Sequence, residues 1–284
     1  MTTPAYRRYL RIQRVLDREI TARLIDASLE AERILRDFKG PFRKADVRKA
    51  LEPSQVTLWD KVDEAIALAL QAVSESSRKT YRDIAWSVTR HLRLRGYPRL
   101  ASRFDVAAKR SIAKHRPWAF TLSRKVYISG SLRMVEKQVA LGLRANESPD
   151  EIAQRVRALI RPDVPGGVSY AAKRLARTEV QKAHHFAVAD LAAKSPYVVG
   201  LKWTLSLTHK GPDVCDRLAD ANPTGLGKGI YTVDRVPAVP HPHCLCQLDP
   251  AIPNVEAIAE RLLAGMLDDW IAGDQSVTFT QAVG

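Results

Sequence analysis

The sequence predicts an α+β protein: a mainly helical N-terminal half with long helices, then a small β-containing Cys/His module and a C-terminal amphipathic helix. Two patterns and one cluster point that way. Apolar residues recur at steps of three and four through the helical segments up to residue 193. After Ser195 and Pro196 the spacing turns to alternation around Trp203, and glycine and proline crowd residues 222–242. All three cysteines of the 284 residues (Cys215, Cys244 and Cys246) fall in that later stretch, interleaved with His209, His241 and His243.

The first helix opens at Thr3 and Pro4, a capping residue followed by proline in the first turn. Its apolar face reads Tyr9, Ile12, Leu16, Ile20, Leu24, Ala27, Ala31, Leu35 and Phe38, and Gly40 and Pro41 end it. A second helical stretch opens at Pro53 and Ser54 and carries Val62, Ile66, Leu70, Val73, Ile84, Val88 and Leu92, with Ser74 to Ser77 as a point of interruption. Shorter helices follow from Ser102 to His115 and from Leu122 to Leu143, the second running through Gly130. Ser148, Pro149 and Glu151 form a capping box for a helix reaching Ile160. Residues 162–167 read as a linker, and a long helix spans Ser169 to Ala193. Strands are expected at Val198–Thr208, Ile230–Val233 and Leu245–Leu248, with one short helix over Asp213–Ala221. Asn254 caps a last helix to about Ala272, whose apolar stripe of Leu262, Met266 and Trp270 is expected to dock either on the body of the same chain or on a neighbour. The tail at 276–280 alternates like a strand that adds to a neighbour's sheet edge.

With 45 % apolar and 27 % charged residues, the composition is that of a soluble globular protein and not of a disordered one. No apolar run approaches the length a bilayer requires, so no membrane partner is expected. The N-terminus runs straight into a charged amphipathic segment, from which a protein made and used without secretion is expected. In such a reducing setting clustered cysteines point to metal or free thiols more than to disulfides. The net charge of +14 is uneven: residues 1–150 hold 31 Lys/Arg against 17 Asp/Glu, and the remainder balances. The asymmetry suggests an acidic partner for the N-terminal half, with nucleic acid the first candidate; plain solubility, or docking onto an acidic protein surface, is the competing reading. Arg7, Arg8, Arg11, Arg14, Arg90, Arg93 and Arg95 are the candidate phosphate contacts.

Thiolate and imidazole are the ligands zinc favours, and two short clusters joined by a loop are how small structural sites are built. The candidate ligands are Cys215, His241, Cys244 and Cys246, with His209 and His243 as alternates. Thiols packed without metal are the competing reading, because Cys-x-Cys is tighter than the usual knuckle. Arg177 is either part of a solvated basic stripe with Lys173 and Arg174, or a tether from its helix to a carboxylate such as Asp213. No phosphate-binding loop, dinucleotide fingerprint or nucleophile elbow is present.

A helix carrying Arg177, Thr178 and Glu179, a strand with Trp203, then Asp213 and Cys215, then His241, Pro242, Cys244 and Cys246 resembles the Mu F-like family. These are minor head, or head-morphogenesis, proteins of tailed bacteriophages. The resemblance covers about residues 130–250 and marks those ten residues as a structural motif, with no catalytic residue among them. Where some members carry a second cysteine shortly after the first, this chain has Arg217 and Leu218, so a four-ligand site needs a histidine. The division that follows is a basic helical domain over 1–128, a Mu F-like module over 129–250, and a C-terminal helix and tail over 251–284. The resemblance implies a minor capsid protein of the virion, inside the head at the portal vertex and in the host cytoplasm during assembly. Its partners would be the portal protein, other capsid proteins and packaged double-stranded DNA. Two other classes stay open: a zinc- or cysteine-dependent hydrolase or transferase, and a free-standing DNA-binding protein.

Overall fold

A computed structural model of the chain describes residues 3–39, 43–161 and 167–273. The architecture is α+β and mainly helical, with one small sheet in the C-terminal part. The helices are α1 (Pro4–Arg36), α2 (Lys44–Leu94), α3 (Pro98–Ala113), α4 (Arg124–Arg144), α5 (Pro149–Ile160), α6 (Val168–Ala193), α7 (Val214–Asp220), α8 (Val255–Leu263) and α9 (Asp268–Ala272). The strands are β1 (Gly200–Thr204), β2 (Ile230–Tyr231) and β3 (Gln247–Ala251). The expected tail strand at 276–280 lies outside the described residues.

The chain divides into two compact units, one drawn from Met1–Leu10, Leu70–Trp118 and Val180–Gly284, the other from Arg11–Ala69 and Ala119–Glu179. The second unit is helical. Leu16, Ile20, Leu24 and Leu35 of α1 are buried together with Leu58, Val62 and Ile66 of α2, Val135 and Val139 of α4, and Val156 and Ile160 of α5. Polar ties join its helices, one buried and one part-buried. The Trp59 indole N–H donates to Ser131 Oγ at 2.9 Å, and Arg48 reaches Glu136 at 2.9 Å. The capping box at Ser148 forms as expected, with Glu151 bonding back to Ser148.

In the first unit the sheet has the order β2-β1-β3, antiparallel throughout. Trp203 lies opposite Leu248, and Leu201 opposite Tyr231 and Pro250. Trp203 and Leu201 point inward with Tyr197, Phe104, Tyr81 and Trp270, forming one apolar core. The rings of Phe104, Tyr197 and Trp270 lie 5.5 to 5.8 Å apart. Gly229 enters β2 at φ +71, where an added Cβ would stand 2.9 Å from the carbonyls of Ala219 and Trp203. Only glycine fits that turn.

Four expectations are corrected. The second helix begins at Lys44, with Pro53 inside it; the start was placed at Pro53 because proline is favoured in a first turn. It also runs unbroken through Ser74 to Ser77, because Ser74 and Ser77 are buried and Ser74 has a side-chain partner. The last helix is two pieces, parted at Gly265 with φ +74. Of its apolar stripe, Leu262 and Trp270 pack into the first unit's core, the intramolecular alternative, and Met266 is exposed. β1 and β2 are shorter than read, and the closing strand starts two residues later, at Gln247–Ala251.

Candidate metal centre

Two short segments make the site. Asp213 caps α7, its carboxylate accepting the Cys215 N–H at 2.6 Å, while Asp216 accepts the Asp213 N–H at 2.7 Å. This reciprocal cap fixes Cys215 in the first turn, fully buried. The second segment turns at His241 to His243, where His243 takes φ +60, before Cys244 and Cys246 run into β3. Both of those cysteines are buried, and Leu245 between them is not fully so.

The Cys215 and Cys244 sulfurs lie 3.6 Å apart, and the ligand atoms of Cys215, Cys244 and Cys246 all lie within 4.8 Å of one another. His241 Nε2 is 3.4 Å from the Cys215 sulfur. A tetrahedron with metal–sulfur bonds of about 2.3 Å has edges of roughly 3.8 Å, slightly shorter where one corner is nitrogen. The Cys215–Cys244 and Cys215–His241 spacings come near those edges, and three thiols with an imidazole are a soft donor set. The group Cys215, Cys244, Cys246 and His241 can therefore hold a metal ion.

The protons are unevenly shared among the sulfurs. A hydrogen bond from the Cys244 thiol, with smaller help from the Ser206 backbone, holds Cys246 down at about 6 despite its burial. Cys244 is pushed up, first because its proton serves Cys246 and then by burial. Burial, with the Cys246 thiolate next, pushes Cys215 up to about 12. One thiolate thus sits beside two thiols that a cation would deprotonate.

Two carboxylates and two imidazoles ring the sulfurs. His209 Nδ1 lies 3.8 Å from the Cys246 sulfur, and its Nε2–H donates to Asp216 Oδ2 at 2.8 Å. His241 lies between the Pro242 carbonyl, 3.0 Å from Nδ1, and Asp213 Oδ2, 3.2 Å from Nε2. His243 is half-buried beside the cluster, and Pro242 is exposed.

Behind the site, α6 closes it with a buried polar chain that the sequence reading did not single out. Tyr9 donates to Gln181 Oε1, and the Gln181 amide donates to the Cys246 carbonyl. His185 Nε2 lies 3.2 Å from that same carbonyl, with its ring edge-on to Trp203 at 5.1 Å. Burial drives His184 down to about 3 and His185 to about 4, so both rings are neutral. Two adjacent histidines in mid-helix were the available signal.

The remaining motif residues have structural neighbours of other kinds. Arg177 grips Asp17 of α1 with both arms, at 2.9 and 2.5 Å, and not Asp213. Thr178 Oγ1 bonds back to the Arg174 carbonyl at 2.7 Å, and Glu179 is buried. Trp203 sits in the first unit's core.

Of the candidate phosphate contacts, Arg7, Arg11 and Arg14 are exposed on α1 at helical spacing. Arg90 and Arg93 are exposed on α2, Arg90 lying over the Trp86 ring at 5.7 Å. Arg8 is instead drawn to Thr80 and Asp83, and Arg95 to Glu256.

One further array was missed. Ser74 Oγ lies 3.0 Å from His115 Nε2, and His115 Nδ1 lies 2.7 Å from Asp190 Oδ2. The spacing is that of a Ser-His-Asp triad. Ser74 is nonetheless buried in the middle of α2, where neighbouring backbone N–H groups serve the helix and offer no oxyanion site. The array works as a polar tie among α2, the end of α3 and α6.

No family of known proteins, no characterised protein and no solved structure matches the chain.

Proposed function

We propose that this chain is a minor capsid, or head-morphogenesis, protein of a tailed bacteriophage, bound at the portal vertex inside the head and contacting packaged DNA. The observation that carries the reading is the convergence of Asp213, Cys215, His241, Cys244 and Cys246, motif positions some thirty residues apart, into one donor cluster. That is what the resemblance in the sequence asks of a folded Mu F-like module. The metal would be a structural zinc. Three thiolates and an imidazole would hold it, and it would supply cross-linking between α7 and the approach to β3 where loops leave little core. A donor set filled by four protein ligands is of the structural kind, which favours assembly over an enzymatic role. The exposed arginines of α1 and α2 suit non-specific contact with duplex phosphate.

The partners are the portal protein, neighbouring capsid proteins and DNA, with the host cytoplasm as the place of assembly. The test is the composition of purified DNA-filled heads. The chain should be present in a small fixed copy number and absent from heads assembled without portal. Heads that fill and mature normally without it would overturn the proposal.

A further inference from the structure

Trp86 stands on α2 with 61 % of its surface exposed, more than any other aromatic residue described. At steps of four, four and three along the same helix face stand Arg82, Trp86, Arg90 and Arg93, all exposed. We propose that this stripe binds single-stranded DNA, one base stacking on the Trp86 ring while the neighbouring phosphates meet the arginines. The proposal rests on the reading that the chain contacts DNA, and it narrows what is held here to unpaired bases.

Charge is the first argument. Residues 78–99 hold seven Lys/Arg against one acidic residue, Asp83. Asp83 is itself taken up by Lys79 at 3.3 Å and by Arg8 at 3.7 Å, and Arg82 pairs with Glu75. Arg90 and Arg93 take part in no ion pair among the described residues. Their charge is therefore left for an outside anion, and a polyanionic strand complements a row of cations on one face.

The ring is the second argument. An indole left this exposed gains nothing from the core of its own chain, and its immediate neighbours along the stripe are cations. The Arg90 guanidinium lies 5.7 Å from the Trp86 ring centroid, within reach of a cation–π contact. A duplex keeps its bases stacked inside and offers phosphates, for which arginines alone suffice. A strand with unpaired bases uses both parts, stacking on the ring and neutralising its backbone beside it. Such stacking is tolerant of sequence, because every base has a π-face. A linear duplex presents unpaired bases at frayed or single-stranded ends and wherever it is opened.

Three probes separate the outcomes with the full-length chain at low salt: oligothymidylate of about 16 nucleotides, an abasic strand of the same length, and a duplex. The abasic strand keeps the phosphates and removes the bases. The wild type should bind oligothymidylate about 5- to 100-fold more tightly than the abasic strand. Trp86→Ala should erase that preference and leave abasic-strand affinity unchanged, whereas Trp86→Phe should keep part of it. Replacing Arg90 and Arg93 together by alanine should weaken both strands alike. Should Trp86→Ala fail to fold, Trp86→Leu keeps apolar bulk without the ring and gives the same readout. A wild type that binds the two strands equally, or a Trp86→Ala variant that keeps the preference, overturns the stacking site while DNA contact through phosphates survives. Polyglutamate bound as tightly as oligothymidylate would assign the stripe to an acidic protein and overturn it too. A wild type that binds none of the three DNA probes removes the DNA-contact reading and this inference with it.

Discussion

His115 Nδ1 lies 2.7 Å from Asp190 Oδ2, and the pair ties the end of α3 to α6. Burial alone would raise the Asp190 carboxyl. Hydrogen bonds from His115, from Lys194 and from the Arg116 N–H outweigh it and hold Asp190 at about 2. A folded-state value below the unfolded one means stabilisation that is complete above the unfolded value and lost as pH falls through the folded one. Chemical denaturation should therefore show about 2 kcal/mol disappearing between roughly pH 4 and pH 2. Asp190→Asn should be less stable at neutral pH and lack this acid limb. An unchanged limb in the variant would assign it to other carboxylates.

Gln181 is the buried connection between Tyr9 and the backbone of Cys246. Gln181→Leu keeps the volume but leaves the Tyr9 hydroxyl and one bond to the Cys246 carbonyl unmade. A loss of about 2 kcal/mol is expected, as for a buried polar group deprived of its partner. Urea unfolding measures it, and a neutral result would mean that the cluster keeps its place without α6.

Arg177→Ala should cost less than a buried ion pair would. Arg177 and Asp17 are each about one-third exposed, at 33 % and 31 %. Water and salt screen such a pair, so about 1 kcal/mol is expected even with bidentate geometry. A thermal melt that falls by far more would show that Arg177 supports packing beyond Asp17.

Replacing Arg7, Arg11 and Arg14 together by alanine should weaken duplex DNA binding alike for unrelated sequences. The slope of log affinity against log salt should shrink by about one for each phosphate contact removed. An unchanged slope would move the DNA contact elsewhere on the chain.

The helices were legible because each buries one stripe: Leu16, Ile20, Leu24 and Leu35 recur at the helical period and are all buried. The cysteine cluster was legible too, since short spacings and one loop limit where three thiols can go. Pairings between distant segments were not. Nothing local to Arg177 names Asp17, 160 positions away, and nothing local to His115 names Ser74 and Asp190. The start of α2 was misplaced because proline suits a first turn and costs a hydrogen bond inside a helix, a cost that α2 bears at Pro53. The split at Gly265 was missed because the apolar spacing continues across it, and only the backbone conformation marks the break.

The central claim is attachment at the portal, and mixing the purified full-length chain with portal rings tests it most directly. Sedimentation of the mixture, with the mass of the complex measured, should show the chain travelling with the ring at one fixed ratio. That ratio should hold through excess chain and moderate salt. A chain that stays at its free sedimentation rate, or associates in proportion to its concentration without saturating, would contradict the account.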